Sequence, residues 1–210
     1  NILGDEQMKH LFRWLDERKQ DAERPCFIAC PAMLFPRRMQ APDGIGEPGA
    51  ARCDGWEGYP VAMQALLRKV CDTRLSNLVF LSGDAHLSCI ARVQERGAVD
   101  SPAFWSVHGS PLYAPLPFVN SANTDLRGCE TVTLPGGGKA GPLTLEVHTG
   151  FAAAGAGFAL VNAHRKDGRW NIEVRFDRET EVSDPVSLPR TPLPCDCAPA
   201  GSCTPLTGVP

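Results

Sequence analysis

The chain has 210 residues, of which 43% are hydrophobic and 21% charged, with a formal net charge of -3 and a pI of about 6.0. That length and composition suffice for one substantial globular domain with a hydrophobic core. Lysine and arginine form no basic stripe, so nucleic acid is not an expected partner. No apolar run approaches the ~18–20 residues that a membrane helix needs, and no secretory signal opens the chain.

Neither the beginning of the chain nor its cysteines indicates a cellular compartment. The opening residues, NILGDEQMKHLFRWL, start in mid-pattern without a methionine, so we expect an excised or truncated piece whose missing signal says nothing about localisation. Of nine cysteines, those in apolar stretches mildly favour a reducing compartment. The three cysteines of the C-terminal tail could instead pair or bind metal. Localisation therefore stays open.

The first part of the chain alternates predicted helices and strands. Apolar residues at helical spacing predict one helix over residues 4–20 and another over 59–70. Short apolar runs predict strands at 24–30 and 76–83. The loop at 32–60 is rich in Pro, Gly and Arg, and a loop of that length is usually functional or mobile. This order predicts a sheet layer covered by helices.

The rest of the chain has the pattern of strands. They are predicted at 88–95, 103–108, 129–134, 143–151, 157–165 and 169–177. The last two form a hairpin with Asp167-Gly168 as its turn. From Ser187 onward the sequence is rich in Pro and lacks periodicity, which is typical of an extended or disordered tail. We therefore expect a domain at 1–186 and a tail at 187–210.

The segment NLVFLSGDAHLSCIARV places Asp84 and His86 at a glycine-marked corner between two apolar strands. Side chains two apart in extended backbone point to the same side, so this pair could supply two ligands to a metal ion. Oxygen and nitrogen donors suit zinc, iron or manganese, and oxygen donors also suit calcium. The alternative is a turn in which Asp84 bonds to local amides and His86 to a backbone carbonyl.

Three polar side chains of the long loop and one at its end are candidates for binding a ligand. In FPRRM, Arg37 and Arg38 follow the first strand, and their guanidinium groups match phosphate oxygens. In RCDGWEGYP, Asp54 and Tyr59 could line a pocket. The alternatives are solvated loop arginines and a glycine turn whose aromatic side chains fill the core.

His108, at the end of the strand predicted over 103–108, could face the same cleft as Asp84. That requires its strand to be a neighbour of the strand at 76–83. The alternative is a structural histidine whose ring is satisfied by the protein. Other catalytic motifs are missing, since no G-x-S-x-G elbow occurs and GGGKA lacks the spacing of a P-loop.

Six segments occur in the order and spacing of a known family. They are LGDEQMKHLFRWL, CPAMLFPRR, DGWEGYP followed by ALL, NLVFLSGDAHLS, SPLYAPLPF, and GFALV followed by GRWNIEVRF. Together they span about residues 2–177 and resemble the C-terminal half of the alkaline phosphatase D (PhoD-like) metallophosphatase family. The resemblance implies an α/β fold, part of a four-layer α/β/β/α metallophosphoesterase-like sandwich with a largely antiparallel C-terminal sheet. It also implies a metal centre at the C-terminal ends of strands.

The resemblance further implies roles for the candidate residues. Gly83-Asp84-Ala85-His86 matches the G-D-x-H corner of the family, which implies that Asp84 and His86 bind metal and take part in catalysis. The implied reaction is hydrolysis of phosphate monoesters or diesters by in-line attack of a metal-bound hydroxide. The implied metals are iron with calcium, although broader relatives use zinc or manganese. The side chains then expected to contact the phosphate ester are Arg37, Arg38, Asp54, Tyr59 and His108.

Two departures from the wider metallophosphoesterase pattern shape the functional prediction. Early D-x-H, G-D and N-H-D segments usually come before this region, and none precedes it here. Cys30-Pro31 stands where many relatives carry a metal-binding His, a departure that PhoD-like members commonly share. We therefore expect the chain to supply only part of the site, to need the N-terminal portion of the same domain, and to be inactive alone. The alternative is a non-catalytic fragment or binding module derived from such a domain.

Overall fold

The structure is a computed structural model that describes residues 2–21, 23–36, 55–97, 102–112, 128–136, 141–178 and 185–188. Its helices and strands are α1 (Asp5–Arg18), β1 (Cys26–Ala29), α2 (Pro60–Thr73), β2 (Leu78–Ser82), β3 (Leu87–Glu95), β4 (Phe104–His108), β5 (Gly128–Leu134), β6 (Leu143–Ala154), β7 (Gly157–Lys166), β8 (Arg169–Arg178) and β9 (Val186–Ser187). Each predicted helix and strand is present within a few residues. The two-residue strand β9 was not predicted.

A six-stranded mixed sheet in the order β1-β2-β4-β3-β6-β5 forms the centre of the fold. Strands β1, β2 and β4 are parallel, whereas β3, β6 and β5 each run antiparallel to their neighbours. In the register between β2 and β4, Val79 lies opposite Trp105 and Ser82 lies opposite His108. The carboxyl ends of the parallel strands therefore meet at one edge of the sheet.

Both helices pack on one face of this sheet. Helix α1 buries Met8 and Leu15, and Pro60 begins α2 with a backbone angle already suited to a helix. The buried side chains of the helices share one core with Leu78 and Phe104 of the sheet. Burial of this apolar face, rather than helix propensity, supplies most of the stability of helices of this length.

A three-stranded antiparallel sheet in the order β7-β8-β9 packs on the opposite face of the mixed sheet. Phe151 of β6 stacks on Phe176 of β8 with ring centroids 4.5 Å apart and ring planes within 14°. The β7–β8 turn is formed by Asp167 and Gly168 with φ of 51° and 77°, the left-handed conformation typical of a two-residue hairpin turn. The predicted hairpin and its turn are confirmed.

The described residues thus form three layers, helices on a mixed sheet on an antiparallel sheet. This architecture confirms the expected α/β class with antiparallel strands in its C-terminal part. Val186 pairs with Val174, and the buried Leu188 donates its N–H to Ile172 at 2.9 Å. Of the tail predicted at 187–210, only Ser187 and Leu188 lie within the described ranges. No helix among the described residues is long and apolar enough to cross a membrane.

The cysteines of the described part occur in both thiol and disulfide form. Cys26, Cys30, Cys71 and Cys89 are thiols outside any disulfide, whereas Cys129 is disulfide-bonded. Burial, followed by the nearby carboxylates of Glu95 and Asp72, raises the pKa of Cys71 to about 12, so this thiol stays protonated at neutral pH. The four thiol cysteines lie in or against the hydrophobic core and act there as small apolar residues, as expected from their sequence context.

We expect Phe176→Ala to lower the free energy of unfolding by about 3–5 kcal/mol, because it empties a fully buried ring site between the two sheets. The control is Phe158→Ala on β7, where the ring is 42% exposed and much less burial is lost. Urea denaturation monitored by circular dichroism measures both variants. Equal destabilisation by the two substitutions would contradict the assignment of Phe176 to the core between the sheets.

Candidate metal centre

The corner at residues 83–86 connects β2 to β3 at the edge where the parallel strands end. Gly83 and Asp84 are exposed, and His86 is partly exposed. The flanking strands are buried, so the corner presents a carboxylate and an imidazole to solvent from a rigid base. This is the position in an open α/β sheet at which ligands usually bind.

Backbone hydrogen bonds fix the path of the corner on both sides. The Gly83 N–H donates to the Pro31 carbonyl at 3.4 Å, and the Gly109 N–H donates to the Ser82 carbonyl at 3.0 Å. The Leu87 N–H donates to the Ala85 carbonyl at 2.7 Å. A hydrogen bond between residues two apart closes a tight three-residue turn. His86 is the central residue of that turn.

His108 lies beneath the corner with a side chain that is 0% exposed. Its Nε2 is 2.9 Å from the Ala85 carbonyl oxygen, and its Nδ1 is 2.7 Å from the Ser82 hydroxyl. A carbonyl oxygen can only accept, so Nε2 carries the hydrogen of this bond. In the neutral ring, Nδ1 then accepts from Ser82. Both ring nitrogens are therefore bonded to the corner or to the strand end that leads into it.

Ser106 makes a similar contact with the segment that follows β1. Its hydroxyl donates to the Phe35 carbonyl at 2.9 Å and accepts from the Phe35 N–H at 3.2 Å. Ser106 and His108 lie two apart on β4 and therefore on the same face of the sheet. Sequence reasoning missed the role of Ser106, although the alternation of two polar residues within the apolar strand FWSVH was the available signal.

The structure brings His108 to the Asp84–His86 corner, but it places Tyr59 elsewhere. The condition set for His108 is met because β4 is the neighbour of β2. Its complete hydrogen bonding favours the structural alternative over the predicted substrate contact. Tyr59 lies at the start of α2 in a groove between the helices, and none of the described residues that line this groove belongs to the corner. Arg37, Arg38 and Asp54 lie outside the described residues.

The donors at the corner suit a metal ion but do not complete a site. Asp84 offers carboxylate oxygens and His86 an imidazole nitrogen, donor types found around iron, zinc and manganese. Structural and catalytic metal sites need about four to eight donors. Within the described ranges, no group of three or more His, Cys, Asp or Glu side chains is placed to hold a metal ion. These residues therefore fit as part of a centre.

A pocket of about 340 Å³ opens beside the corner, between the ends of β2 and β4 and the start of β7. Ser82, the last residue of β2, and Gly83, the first residue of the corner, are among the residues that line it. Most of the described residues around it are apolar: Leu81, Val107, Pro111, Leu112, Phe158, Ala159 and Val161. A volume of this size lies within the range of small-molecule sites.

Comparison with known proteins adds the class and then the family. The family model described as PhoD-like phosphatase matches residues 1–133, more than half of the 210 residues. The match places the chain among the phosphatases, hydrolases that act on phosphoric esters. The chain belongs to the PhoD-like phosphatase family, as its resemblance to that family predicted. The matched range contains both helices, the corner and His108. No curated protein and no solved structure matches the chain.

The close approach of β7 to β8 beside the pocket requires a glycine at position 157. A Cβ at Gly157 would lie 2.5 Å from the Asp177 carbonyl oxygen and 3.1 Å from the Arg178 Cα. We expect Gly157→Ala to destabilise the protein by about 1–3 kcal/mol because backbone atoms must move apart. Chemical denaturation measures the change.

The control for this substitution is Gly83→Ala, because a Cβ there meets only the Gly109 carbonyl oxygen, at an ordinary 3.4 Å. We expect its free energy of unfolding to stay close to that of the unchanged protein. A neutral Gly157→Ala variant would show that β7 and β8 tolerate a wider spacing beside the pocket.

Proposed function

We propose that the protein is a metal-dependent phosphoric ester hydrolase, of the alkaline phosphatase or phosphodiesterase type, with Asp84 and His86 among its metal ligands. The observation that carries this proposal is the place of the corner. An exposed acid and a partly exposed histidine stand where parallel strands end, within the residues that match the phosphatase family. The chemistry of the donors and the position in the fold support the same assignment.

The proposed metals are iron with calcium, with zinc or manganese as the alternative. Asp84 contributes an oxygen donor suited to all four ions, and His86 contributes a nitrogen donor suited to iron, zinc and manganese. When bound, such ions neutralise the charge of the phosphoryl group and provide a nucleophile near neutral pH. The exposure of Asp84 lets its carboxylate face a cation without the cost of a buried, unpaired charge.

The proposed substrate contacts are Arg37, Arg38 and Asp54. The two arginines follow the segment that Ser106 ties to β4 through Phe35. Guanidinium groups pair with phosphate oxygens through two parallel N–H bonds, which would orient the ester. We give His108 and Tyr59 no substrate contact, because the first is fully buried and the second lies in the groove between the helices.

Two donors are too few for a working centre, so further ligands must come from other residues. They lie either outside the described ranges or in a segment that this sequence does not contain. We propose the second source, since the early D-x-H and N-H-D segments of metallophosphoesterases do not precede the corner here. The 210-residue chain alone then lacks robust activity. The competing function is a non-catalytic binding module. It requires that even longer forms of the protein do not hydrolyse phosphate esters.

We expect Asp84→Asn to lower metal-dependent hydrolysis of bis(p-nitrophenyl) phosphate by at least about 100-fold. Even partners that only support metal ligands are worth 10–100-fold, so loss of a ligand should cost more. Because Asp84 is exposed, the circular dichroism spectrum and the unfolding midpoint should not change. The assay uses the longest natural polypeptide that carries the corner, with the 210-residue chain measured beside it.

The matched control is Asp167→Asn, an exposed aspartate in the β7–β8 turn whose left-handed conformation Asn also tolerates. It should leave both activity and metal content unchanged. Full activity and unaltered metal content in the Asp84→Asn variant would sink the metal assignment. Strong metal-dependent turnover by the 210-residue chain, lost on the same substitution, would overturn the proposal that the chain holds only part of the site.

We further propose that the pocket beside the corner receives the organic group of the ester. The apolar lining favours an aromatic or alkyl group over a charged one. Phe158→Ser should therefore lower kcat/KM by about tenfold for naphthyl phosphate and much less for ethyl phosphate. Steady-state kinetics with the two esters measure this selectivity.

Leu160→Ser is the control for the pocket, since Leu160 is on the same strand and face, is 47% exposed against 42% for Phe158, and is not among the described lining residues. It should leave the preference for the naphthyl ester unchanged. An equal loss in both variants, or none in Phe158→Ser, would count against the pocket as the site of the organic group.

A further inference from the structure

We propose that His108 is a positioning residue that holds the Asp84–His86 corner in its binding conformation. This inference rests on the proposed function only for the identity of what the corner binds. The geometry that carries it is a buried imidazole bonded to the corner through Nε2 and to the end of β2 through Nδ1, and it belongs to the protein alone.

The point of attachment is the carbonyl that lies between the two proposed ligands. The Ala85 oxygen accepts from His108 Nε2 at 2.9 Å and from the Leu87 N–H at 2.7 Å. A carbonyl oxygen has two lone pairs, so both are used. The peptide plane between Ala85 and His86 is therefore fixed from two directions, and with it the backbone from which both ligand side chains extend.

The second ring nitrogen ties the same imidazole to the start of the corner. His108 Nδ1 lies 2.7 Å from the hydroxyl of Ser82, the residue that precedes Gly83 and pairs with His108 in the sheet. One ring thus joins the end of β2 to the carbonyl three residues further along. The loop between these two points has little freedom to change shape.

The buried surroundings of His108 explain why both of its ring hydrogen bonds must be present. His108 lies beside Val107 and opposite Cys89, and all three side chains are buried. A polar ring in such a place costs free energy unless each nitrogen has a partner. A conformation of the corner that breaks the Ala85 contact would leave Nε2–H unsatisfied, so burial of the ring opposes any departure from the observed turn.

The burial and the hydrogen bonds of His108 also favour a positioning role over direct contact with substrate. A phosphate oxygen could bond to His108 only by displacing Ala85 or Ser82 from a ring that has no exposed surface. The effect of His108 therefore passes through the backbone of the corner to Asp84 and His86. Partners that orient metal ligands in this way are typically worth 10–100-fold in metal affinity.

Three substitutions at position 108 test this inference, because they differ in which bond they can replace. His108→Gln places an amide N–H near the position of Nε2 and can still donate to Ala85. The shorter amide of His108→Asn reaches only the position of Nδ1, and His108→Ala replaces neither bond. The control is Ser106→Ala, a buried substitution on the same strand and face that breaks the tie to Phe35 instead of the corner.

Two readouts are measured on the longest natural polypeptide that carries the chain. Hydrogen exchange reports the protection of the amides at 83–87, and calorimetric titration with Mn²⁺ reports metal affinity. We expect His108→Ala and His108→Asn to speed exchange at these amides by at least about tenfold and to weaken Mn²⁺ binding by about 10–100-fold. His108→Gln should keep part of both properties, and Ser106→Ala should change neither.

Unchanged exchange at 83–87 in His108→Ala would overturn the inference, as would equal effects of Gln, Asn and Ala. Faster corner exchange in Ser106→Ala of the same size would also overturn it, because the effect would then be a general loss of stability. If the unchanged protein binds no Mn²⁺ while His108→Ala still loses protection at the corner, the positioning of the corner stands and the proposed metal site fails.

Discussion

The parallel pairing of β2 with β4 is the constraint on which the rest of the site depends. It sets Ser82 opposite His108, so that a hydroxyl and an imidazole meet where both strands end. It also directs the loops that follow both strands out of the same edge, with Gly109 bonded to Ser82. A shift of one residue in this register would turn His108 to the other face, away from the corner it supports.

Burial on both faces of the mixed sheet makes this register specific. The helices cover one face around Leu78 and Phe80, and the antiparallel sheet covers the other around Val79 and Trp105. Strands buried on both faces read as continuous apolar runs, which is the pattern of β2 and the beginning of β4. The polar side chains of β4 are tolerated because each finds partners in a neighbouring loop.

The sequence predicts the elements well because their signals are local, such as helical spacing in α1 and the Asp167-Gly168 turn. It does not predict that β4 lies between β2 and β3, because that order depends on contacts between distant residues. The hydrogen-bond partners of His108 depend on this strand order, so the sequence does not predict them either. The composition around Tyr59 leaves a ligand pocket and a core position as alternatives, and only tertiary packing places this residue in a groove between the helices and away from the corner. Strand β9 is too short to give a periodic signal.

Two properties of the site are independent at this corner: whether the backbone that carries the ligands is ordered, and whether all the ligands are present. In small metal-dependent domains the ligands come together only when the ion binds, so folding and metal affinity are one equilibrium. Here the backbone around Asp84 and His86 is held by bonds to Pro31, Leu87 and His108 that involve no cation. An ion binding at this corner would therefore meet ligands whose backbone is already ordered. The free energy of binding would be limited mainly by how many further donors are supplied, rather than by the cost of forming the corner.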